Sequence, residues 1–383
     1  MDYRLFLITG DVKLSSAQGV RYTSLYNNKS AGGNNINLVY SSSSDKLDGW
    51  DTYVIKQLKF PLLYTSFNRI MRRIIYPDVY IFRMEQYKKK LRAIFSSNTF
   101  ENVIIGCTPF SLLFLGKWIK TNNPSLLLIA DMSDPFSFNM GNRGRPRRVR
   151  IARYIETRAF PYFDKIIVLN ETIQRRYQQL YPKLAEKFQV VEQGVDEVFI
   201  NKIKAFSGSN TIADEFTFLY AGGFYKNGRN PSNLYKAFEL SELDCKLEIY
   251  GNIRKINRPQ TSNKIKYHKA LDKMQLADIT AKANALILFD NDYGYQVPGK
   301  TIETLASGKP VLFIYNNDKS PTLQYVKKAK GVVWVKNSVP EIEEGIYKII
   351  KGEFAQPYFD YSPYTWDKMR IKLKNIINNE KVK

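Results

Sequence analysis

The 383-residue sequence is poor in the side chains that zinc sites and disulfides require. It has one histidine and two cysteines, and Cys107 and Cys245 lie far apart with no C-x-x-C motif at either. A zinc site takes several Cys or His ligands at close spacing, and a disulfide framework takes a set of paired cysteines. We therefore expect both cysteines to be reduced core residues, and we expect no metal site of the Cys/His type.

Long apolar runs are also missing. No stretch of the sequence reaches the ~18 uncharged apolar residues that a membrane-spanning helix needs. The beginning, MDYRLFLITGDVKL, is interrupted by Asp11 and lacks the pattern of a cleavable signal. The sequence therefore predicts a cytoplasmic location.

Acidic residues are scarce relative to basic ones. The chain has 36 Asp and Glu against 58 Lys and Arg, a formal net charge of +22. Residues 1–205 carry 31 basic and 17 acidic residues, and residues 206–383 carry 27 and 19, so the net charges are +14 and +8. Such an excess attracts polyanions. The candidate partners are nucleic acid, an acidic membrane surface and a phosphorylated substrate.

The sequence does contain two series of short apolar runs that alternate with helical stretches. The first is YRLFLI, INLVYS, NVIIGC, LLLIAD, KIIVLN and FQVVEQG, and the second is FTFLYAGG, CKLEIYG, ALILFD, PVLFIY and GVVWV. Buried parallel strands joined by helices show this pattern, and the chain is too long for one ordinary core. We predict an α/β fold with Rossmann-like domains at residues 1–205 and 206–360. An amphipathic helix in residues 361–383 is expected to pack back toward the first domain.

Residues 294–301, GYQVPGKT, match the G-x-x-x-x-G-K-[ST] pattern of a triphosphate-binding loop. Pro298 removes a backbone N–H that such a phosphate cradle would use, and Tyr295 and Val297 are bulky where small residues are usual. The motif therefore favours a different kind of nucleotide site.

The longer segment VPGKTIETLASGKPVL, residues 297–312, resembles the donor-site segment of the GT-B glycosyltransferases of family GT4. The resemblance implies two Rossmann-like domains that face each other across a cleft. It also implies that Glu303 accepts hydrogen bonds from the ribose hydroxyls of a nucleotide sugar. N–H groups at the start of the same helix would face the diphosphate, since helix N-termini attract anions.

A second segment, LYAGGFYKNGRNPSNLYKAF at residues 219–238, resembles the glycine loop of the same family. Arg229 stands at the phosphate-binding position, eight residues before Ala237. The site that the resemblance implies has Arg229, Lys300 and Glu303 as catalytic residues. Its donor-binding residues are Gly222, Gly223, Lys226, Tyr295, Gly299 and Thr301.

Three positions depart from the family pattern. Tyr295 stands where many members have a second Glu that holds the donor sugar, which leaves the sugar open. Gly223 and Phe224 occupy the place of an Arg that commonly follows the glycine loop. Many members have a histidine in the first domain, whereas the only histidine here, His268, lies in the second.

Three residues are predicted to face an acceptor. Gly19 lies in SSAQGVR, predicted to be a loop, and Asp131 and Asp134 follow the strand LLLIA. A plain turn or a helix cap is the alternative at each position. Asp290 and Asp292 form the D-x-D pattern that holds a metal in the GT-A fold, and a loop start is the favoured interpretation there.

Two basic runs suggest an anionic partner. Residues 56–92 hold ten basic and two acidic residues, and their apolar side chains fall on one helical face. Such a helix is predicted to contact an anionic membrane, the alternative being a helix packed on the sheet. Residues 142–158 hold seven Arg and one Glu, which would bind a lipid diphosphate or form a solvated helix face.

The sequence thus predicts a glycosyltransferase of the hexosyltransferase type, with a nucleoside-diphosphate sugar as donor and a glycan or lipid-linked acceptor. The resemblance further implies retention of anomeric configuration, a place in polysaccharide building, no metal cofactor, and a peripheral position on the cytoplasmic membrane face. One alternative is a nucleic-acid-binding protein, although the charge is not interleaved with aromatics in an RNA-binding motif. Another is a metal-dependent glycosyltransferase that uses Asp290 and Asp292.

Overall fold

The computed structural model describes residues 5–10, 12, 16–26, 35–39, 50–55, 75–206, 215–224, 228–251, 262–292 and 294–378. The predicted phosphate ligand Lys226 lies outside these residues. So do residues 56–74, which hold half of the basic residues of the first basic run and all the apolar residues of its predicted membrane-contacting face.

The chain forms two compact units. Unit 1 consists of Met1–Gln193 together with Asp367–Lys383, and unit 2 consists of Gly194–Trp366. The division lies earlier than the boundary predicted at residue 206. The reason is that Phe199, Ile200 and Ile203 pack into the apolar core of unit 2 with Leu276 and other buried residues.

Unit 1 is built on a seven-stranded parallel sheet of order β3-β2-β1-β4-β5-β6-β7. The strands are β1 (Leu5–Ile8), β2 (Asn35–Val39), β3 (Trp50–Val54), β4 (Asn102–Gly106), β5 (Leu127–Met132), β6 (Lys165–Val168) and β7 (Phe188–Val190). The helices are α1 (Ala17–Leu25), α2 (Met84–Ser97), α3 (Phe114–Asn122), α4 (Pro146–Ala159) and α5 (Glu171–Leu180).

Unit 2 is built on a six-stranded parallel sheet of order β10-β9-β8-β11-β12-β13. The strands are β8 (Phe216–Ala221), β9 (Cys245–Tyr250), β10 (Ile265–His268), β11 (Ala285–Phe289), β12 (Val311–Tyr315) and β13 (Val332–Lys336). The helices are α6 (Glu197–Phe206), α7 (Ser232–Leu240), α8 (Lys273–Lys282), α9 (Thr301–Ala306), α10 (Leu323–Val326) and α11 (Val339–Ile350). A last helix, α12 (Trp366–Ile377), joins unit 1 from Asp367 onward.

Burial explains why the short apolar runs become strands. Every residue of β1, β4 and β11 is buried, as expected for parallel strands covered on both faces. Both cysteines are buried and unpaired, Cys107 after β4 and Cys245 at the start of β9. None of the helices in the described ranges combines the length and the apolarity that a bilayer-spanning helix requires.

The helix α12 is tied to unit 1 by polar contacts as well as apolar ones. Arg370 donates from a terminal nitrogen to the Ser24 carbonyl at 2.5 Å, and Lys372 pairs with Glu192 at 2.8 Å. In unit 2, Val195 donates its N–H to the Tyr364 carbonyl at 2.8 Å. The chain crosses between the units after Gln193 and after Trp366. The segments of unit 2 next to these two crossings are therefore hydrogen-bonded to each other.

A buried ion pair joins α1 to the carboxyl end of β5. The Arg21 side chain donates from Nε to the Asp131 carboxylate at 2.9 Å, and both residues are 0% exposed. Tyr26 donates its hydroxyl to the same carboxylate at 2.5 Å, and Arg21 also donates to the carbonyls of Val191 and Glu192. Burial disfavours the charge of Arg21, yet the attraction of Asp131 leaves its pKa raised. Three segments of unit 1, namely α1, the end of β5 and the residues after β7, thus meet at one guanidinium group.

This arrangement corrects the predicted placement of two acceptor-side residues. Asp131 lies in the core of unit 1 with Arg21, and not on a surface that an acceptor would contact. Gly19 lies in the first turn of α1 and not in a loop, because the Ser16 side chain caps that helix by accepting from the Gly19 N–H at 3.0 Å. Asp134 is half-buried after β5, and its contact with an acceptor stays a prediction.

Removing one partner of the buried pair should destabilise unit 1 strongly. Asp131→Ala would leave the Arg21 charge in the core without its counter-ion, at a cost of about 3–5 kcal/mol in the free energy of unfolding. The double variant Arg21→Met/Asp131→Ala should lose less than the sum of the two single variants. Urea unfolding measures these values. Lys88→Met, which breaks an exposed pair with Glu85, is the control and should cost under about 1 kcal/mol. Additive effects would contradict the pairing.

Candidate functional site

The two central strands of unit 2 define the place where a ligand can bind. The strand order changes direction between β8 and β11, since β9 and β10 extend to one side and β12 and β13 to the other. In open α/β sheets the crevice beyond the carboxyl ends of such strands is the usual ligand site. The segments that leave these two strands carry most of the residues predicted to bind a nucleotide.

The segment after β8 is closely packed against its neighbours. The Gly222 N–H donates to the Tyr250 carbonyl at 2.9 Å. A Cβ atom on Gly251 would lie 2.0 Å from the Gly222 carbonyl oxygen, and one on Gly222 would lie 2.9 Å from the Tyr220 hydroxyl. Tyr220 donates that hydroxyl to the Gly223 carbonyl at 3.0 Å. Glycine is therefore needed at position 251 for close approach of backbone to backbone, and a side chain at position 222 would collide with the Tyr220 side chain.

Asn291 joins the segment after β8 to the segment after β11. Its side-chain oxygen accepts from Arg229 Nε at 2.8 Å, and its side-chain nitrogen donates to the Gln296 carbonyl at 2.8 Å. The Asp292 N–H also donates to the Gly228 carbonyl at 2.9 Å. Asn291 is 7% exposed, so these bonds are shielded from water. The guanidinium of Arg229 is held in a defined orientation by the middle residue of the D-x-D pattern, for which a loop start was the favoured interpretation.

A tight turn presents Gly299 and Lys300 at the start of α9. Both the N–H and the hydroxyl of Thr301 donate to the Pro298 carbonyl, at 3.0 and 2.8 Å. Thr301 is 1% exposed, whereas Gly299 and Lys300 are exposed. Thr301 thus closes the turn, and its direct contact with a ligand stays a prediction. Tyr295 is half-buried in the preceding segment.

Glu303, in the first turn of α9, is held by a lysine from another helix. Lys273 Nζ lies 2.9 Å from Glu303 Oε1 and 3.2 Å from Asp196 Oδ2. The same ammonium lies 5.3 Å from the centre of the Phe199 ring, a cation–π distance. Lys273 is the first residue of α8, whose start is fixed by a capping box between Asp272 and Gln275. The carboxylate of Glu303 is therefore oriented before any ligand is present.

Lys300 and Glu303 lie together at a pocket of unit 2. Its walls come from β8, β11, α6, α8 and α9, and the lining residues are Phe199, Leu219, Ala221, Leu276, Thr280, Leu286, Ile287, Lys300, Glu303 and Thr304. Lys300 is exposed as a whole residue, yet partial burial of its ammonium group lowers its pKa. The negative charge of Glu303 opposes that shift, and the positive charge of Lys273 adds to it. An anion bound beside Lys300 would relieve the cost of keeping this lysine charged.

The D-x-D residues do not form an open pair. Asp290 is 1% exposed, and its carboxylate accepts from the Thr322 hydroxyl at 2.7 Å. Burial raises the pKa of Asp290, and its hydrogen bonds and Arg229 oppose the shift. Asp292 instead accepts from the Asn316 side chain. Within the described ranges no group of three or more His, Cys, Asp and Glu side chains is placed to hold a metal ion.

The structure thus brings Arg229, Lys300 and Glu303 to the same edge of unit 2. Gly19, Asp131 and Asp134 belong to unit 1. Sequence analysis missed Lys273 and Asn291, which orient two of the predicted site residues. The capping pattern of Asp272 and Gln275 could have located the start of α8, but no local pattern reports that Lys273 reaches Glu303.

Sequence comparison and structural comparison give different results. No protein-family model matches the sequence, and no curated protein matches it. Solved structures resemble nearly the whole chain. Sucrose-phosphate synthase from Thermosynechococcus elongatus shares 12% identity at a TM-score of 0.70, and HepE of Anabaena, in complex with UDP and glucose, shares 11% at 0.67. The lipopolysaccharide outer core galactosyltransferase WaaB shares 13% at 0.60, and in each case the match covers 98% of this chain and 99% of the other.

The chain has the GT-B fold. This confirms the predicted α/β class with two Rossmann-like units, on the evidence of both sheets and of these solved structures. At such low identity the likeness establishes the GT-B fold, and an activity must be argued from the site.

The environment of Lys300 gives a testable titration. We expect the pKa of Lys300 to lie below that of an ordinary lysine and to fall further in a Glu303→Gln variant, because the opposing negative charge is lost. Competitive acetylation across alkaline pH, followed by mass spectrometry of the Lys300 peptide, measures the reactive unprotonated fraction. The same titration curve in wild type and Glu303→Gln would contradict the proximity of these two side chains.

Proposed function

We propose that this protein is a glycosyltransferase that moves a sugar from a nucleoside diphosphate to a glycan or lipid-linked acceptor. The observation that carries the proposal is the pre-oriented carboxylate of Glu303 beside Lys300, at the point of unit 2 where the strand order reverses. A carboxylate can accept from two hydroxyl groups, and an adjacent ammonium can bind phosphate. A ribose followed by a diphosphate has both features.

The nucleotide would be held by residues from two segments, the one after β8 and the one after β11. Glu303 accepts from the ribose hydroxyls, while Lys300 and Arg229 pair with the diphosphate. The helix α9 has six residues, so its dipole is short, and the two side-chain cations carry most of the attraction for phosphate. Gly222 and Gly223 allow the backbone to approach the ligand closely. Lys226 is a further candidate cation of the same segment.

The comparisons support UDP as the nucleotide and a glycan as the acceptor. The HepE structure contains UDP and glucose, and WaaB is named as a galactosyltransferase of the lipopolysaccharide outer core. We therefore take a UDP-hexose as the first donor to test. Retention of the anomeric configuration and membership of family GT4 are part of the proposal, and they rest on the resemblance of residues 219–238 and 297–312.

The chemistry would be electrostatic. As the bond between the anomeric carbon and the diphosphate oxygen breaks, negative charge grows on the leaving diphosphate. Lys300 and Arg229 stabilise that charge, and each well-placed donor of this kind is worth about 3–4 kcal/mol of barrier. The leaving diphosphate can accept the acceptor proton as the acceptor oxygen bonds to the anomeric carbon, so the reaction needs no protein base, and the family resemblance implies no protein nucleophile.

Lys300 and Arg229 would provide the charge neutralisation that a divalent metal provides in other transferases. A metal-dependent reaction through Asp290 and Asp292 has less support, because Asp290 is buried against Thr322 and Asp292 accepts from Asn316. Donor binding and turnover should therefore persist in EDTA.

Thermal unfolding with UDP, GDP, ADP and ATP, each with and without EDTA, tests the proposal directly. A ligand at about 100 times its Kd adds about 2.7 kcal/mol to the folded state, which raises the midpoint by a few degrees. We expect UDP to stabilise the protein in EDTA. Stabilisation by magnesium-ATP alone would instead identify GYQVPGKT as a triphosphate loop and overturn the proposal.

Glu303→Ala should weaken UDP binding through the ribose. Loss of hydrogen bonds to a charged group costs about 1.5–3 kcal/mol, so the Kd for UDP should rise roughly 10- to 150-fold. The variant should also lose the preference of the wild type for UDP over 2′,3′-dideoxy-UDP, as measured by calorimetry. Glu343→Ala, which removes a carboxylate of α11, is the matched control. Equal losses for both nucleotides would refute the ribose role.

Lys273→Met should act through Glu303. Without the ammonium, Asp196 and Glu303 would repel each other, so Glu303 would no longer be held in its present direction. We expect the Kd for UDP to rise about tenfold, the preference over 2′,3′-dideoxy-UDP to shrink, and Lys273→Arg to restore part of both. Lys202→Met, which breaks a pair with Asp278 in the same unit, is the control. A lower unfolding midpoint with an unchanged preference would reduce Lys273 to a purely structural residue.

A further inference from the structure

The three side chains of the D-x-D segment after β11 have different partners. Asp290 and Asp292 accept hydrogen bonds from side chains of the residues after β12. The neutral residue between them, Asn291, accepts from Arg229. We propose that Asn291 is a positioning residue, which directs the guanidinium of Arg229 to the second phosphate and so sets a preference for a nucleoside diphosphate over a monophosphate. This role rests on the proposed function and extends it to a residue that touches no substrate.

Arg229 is half-buried, and the described part of the chain gives it no ion pair. Its hydrogen bond within the described ranges runs from Nε to the Asn291 side-chain oxygen at 2.8 Å. The Arg229 charge opposes the rise that burial causes in the pKa of Asp290, so the two groups are near each other without being bonded. Since Asn291 takes Nε, the two terminal nitrogens of the guanidinium can donate side by side to one phosphate.

An amide is suited to orient an arginine whose charge is needed elsewhere. A carboxylate at position 291 would pair with Arg229 and weaken its attraction for phosphate, whereas an amide oxygen carries no net charge. Asn291 is itself fixed, because its side-chain nitrogen donates to the Gln296 carbonyl at 2.8 Å. The reversed amide would set donor against donor and acceptor against acceptor, so the side chain has one favourable orientation.

The two cations of the site lie at different distances along a bound nucleotide. Lys300 lines the same pocket as Glu303, and the charge of Glu303 acts on its ammonium group. Arg229 does not line that pocket, and its charge acts on Asp290 at the end of β11. With the ribose at Glu303, Lys300 meets the first phosphate and Arg229 meets the second. A nucleoside monophosphate would therefore gain little from Arg229.

Calorimetric affinities for UDP and UMP test the role of Asn291. We expect Asn291→Ala to weaken UDP binding about tenfold and UMP binding by less than about twofold, because Arg229 loses its direction while Lys300 is unchanged. Asn284→Ala is the matched control, since it removes an acceptor for the Thr217 N–H at the other end of β11. The control should keep the wild-type preference for UDP. An unchanged preference in Asn291→Ala would overturn the proposal.

A double variant separates positioning from packing. Arg229→Gln should reduce the preference for UDP at least as much as Asn291→Ala does. The variant Arg229→Gln/Asn291→Ala should lose no more than Arg229→Gln alone, because a positioning residue acts through its partner. The preference is a ratio of two affinities of one variant, so a lower stability does not imitate the effect. Additive losses would mean that Asn291 acts independently, and the positioning role would be wrong.

Asn291→Asp tests the need for a neutral side chain. The carboxylate keeps an acceptor for Arg229 Nε but neutralises the guanidinium. We expect UDP binding to weaken by about tenfold or more, and to depend less than the wild type on salt between about 0.1 M and about 1 M. If Asn291→Asp binds UDP as tightly as the wild type, the amide has no special role and the proposal fails.

Inorganic pyrophosphate and phosphate separate this role from the proposed function, since they lack the ribose and the base. We expect the wild type to bind pyrophosphate more tightly than phosphate, and Asn291→Ala to remove that difference. If the wild type binds pyrophosphate in this way but does not bind UDP, the transferase proposal fails and the positioning role stands. If UDP binds and Asn291→Ala keeps the full preference, the transferase proposal stands and the positioning role fails. A wild type that binds neither ligand would refute both.

Discussion

The ammonium group of Lys273 makes the arrangement of the candidate donor site possible. It is shared by two carboxylates, Asp196 ahead of α6 and Glu303 in α9, which would repel each other without it. Asp196 also accepts from the Val198 N–H at 3.0 Å, so the start of α6 depends on the same charge. One side chain therefore connects the start of α6, the start of α8 and the first turn of α9. The direction of the Glu303 carboxylate is a product of that packing and not of α9 alone.

The cationic side of the site is arranged by a different principle. Arg229 lies in an irregular segment, where a long side chain would ordinarily sample many rotamers. Its bond to Asn291, and the bond from Asn291 to the Gln296 carbonyl, connect it to the segment that presents Lys300. The two cations are thus coupled through one amide side chain. Such coupling lowers the entropy that is lost when a polyanion is bound.

The fold could be predicted largely from the sequence because parallel strands are buried on both faces. Such strands need an apolar side chain at every position, and this is visible directly in runs such as ALILF. The strand β11 formed by this run is buried at every position. The site was predicted in part through local motifs, which placed Glu303 and Lys300 next to each other. The roles of Lys273 and Asn291 were not predicted, because their partners lie 30 and 62 residues away. Pairing at such separations produces no periodic pattern in the sequence.

Asp131 and Gly19 are two positions where local sequence led to a wrong prediction of the structural setting. A carboxylate at the end of a strand is often functional, but the character of Asp131 is decided by Arg21, which lies 110 residues earlier. Ser-Ser-Ala-Gln-Gly has the composition of a loop, but one hydroxyl cap at Ser16 is enough to begin a helix there. In both cases the local sequence was compatible with two structures, and a tertiary contact or a single hydrogen bond selected one.

The path of the chain has a consequence for how the protein is made. Unit 2 is one uninterrupted segment, whereas unit 1 is assembled from the first 193 residues and from the helix that begins after residue 366. During translation, unit 2 can complete its sheet while unit 1 still waits for α12 to leave the ribosome. The apolar surface that Met369, Leu373 and Ile376 will cover stays open until then. The later unit in the sequence is therefore the first that can finish folding, and unit 1 stays unfinished while the whole of unit 2 is made.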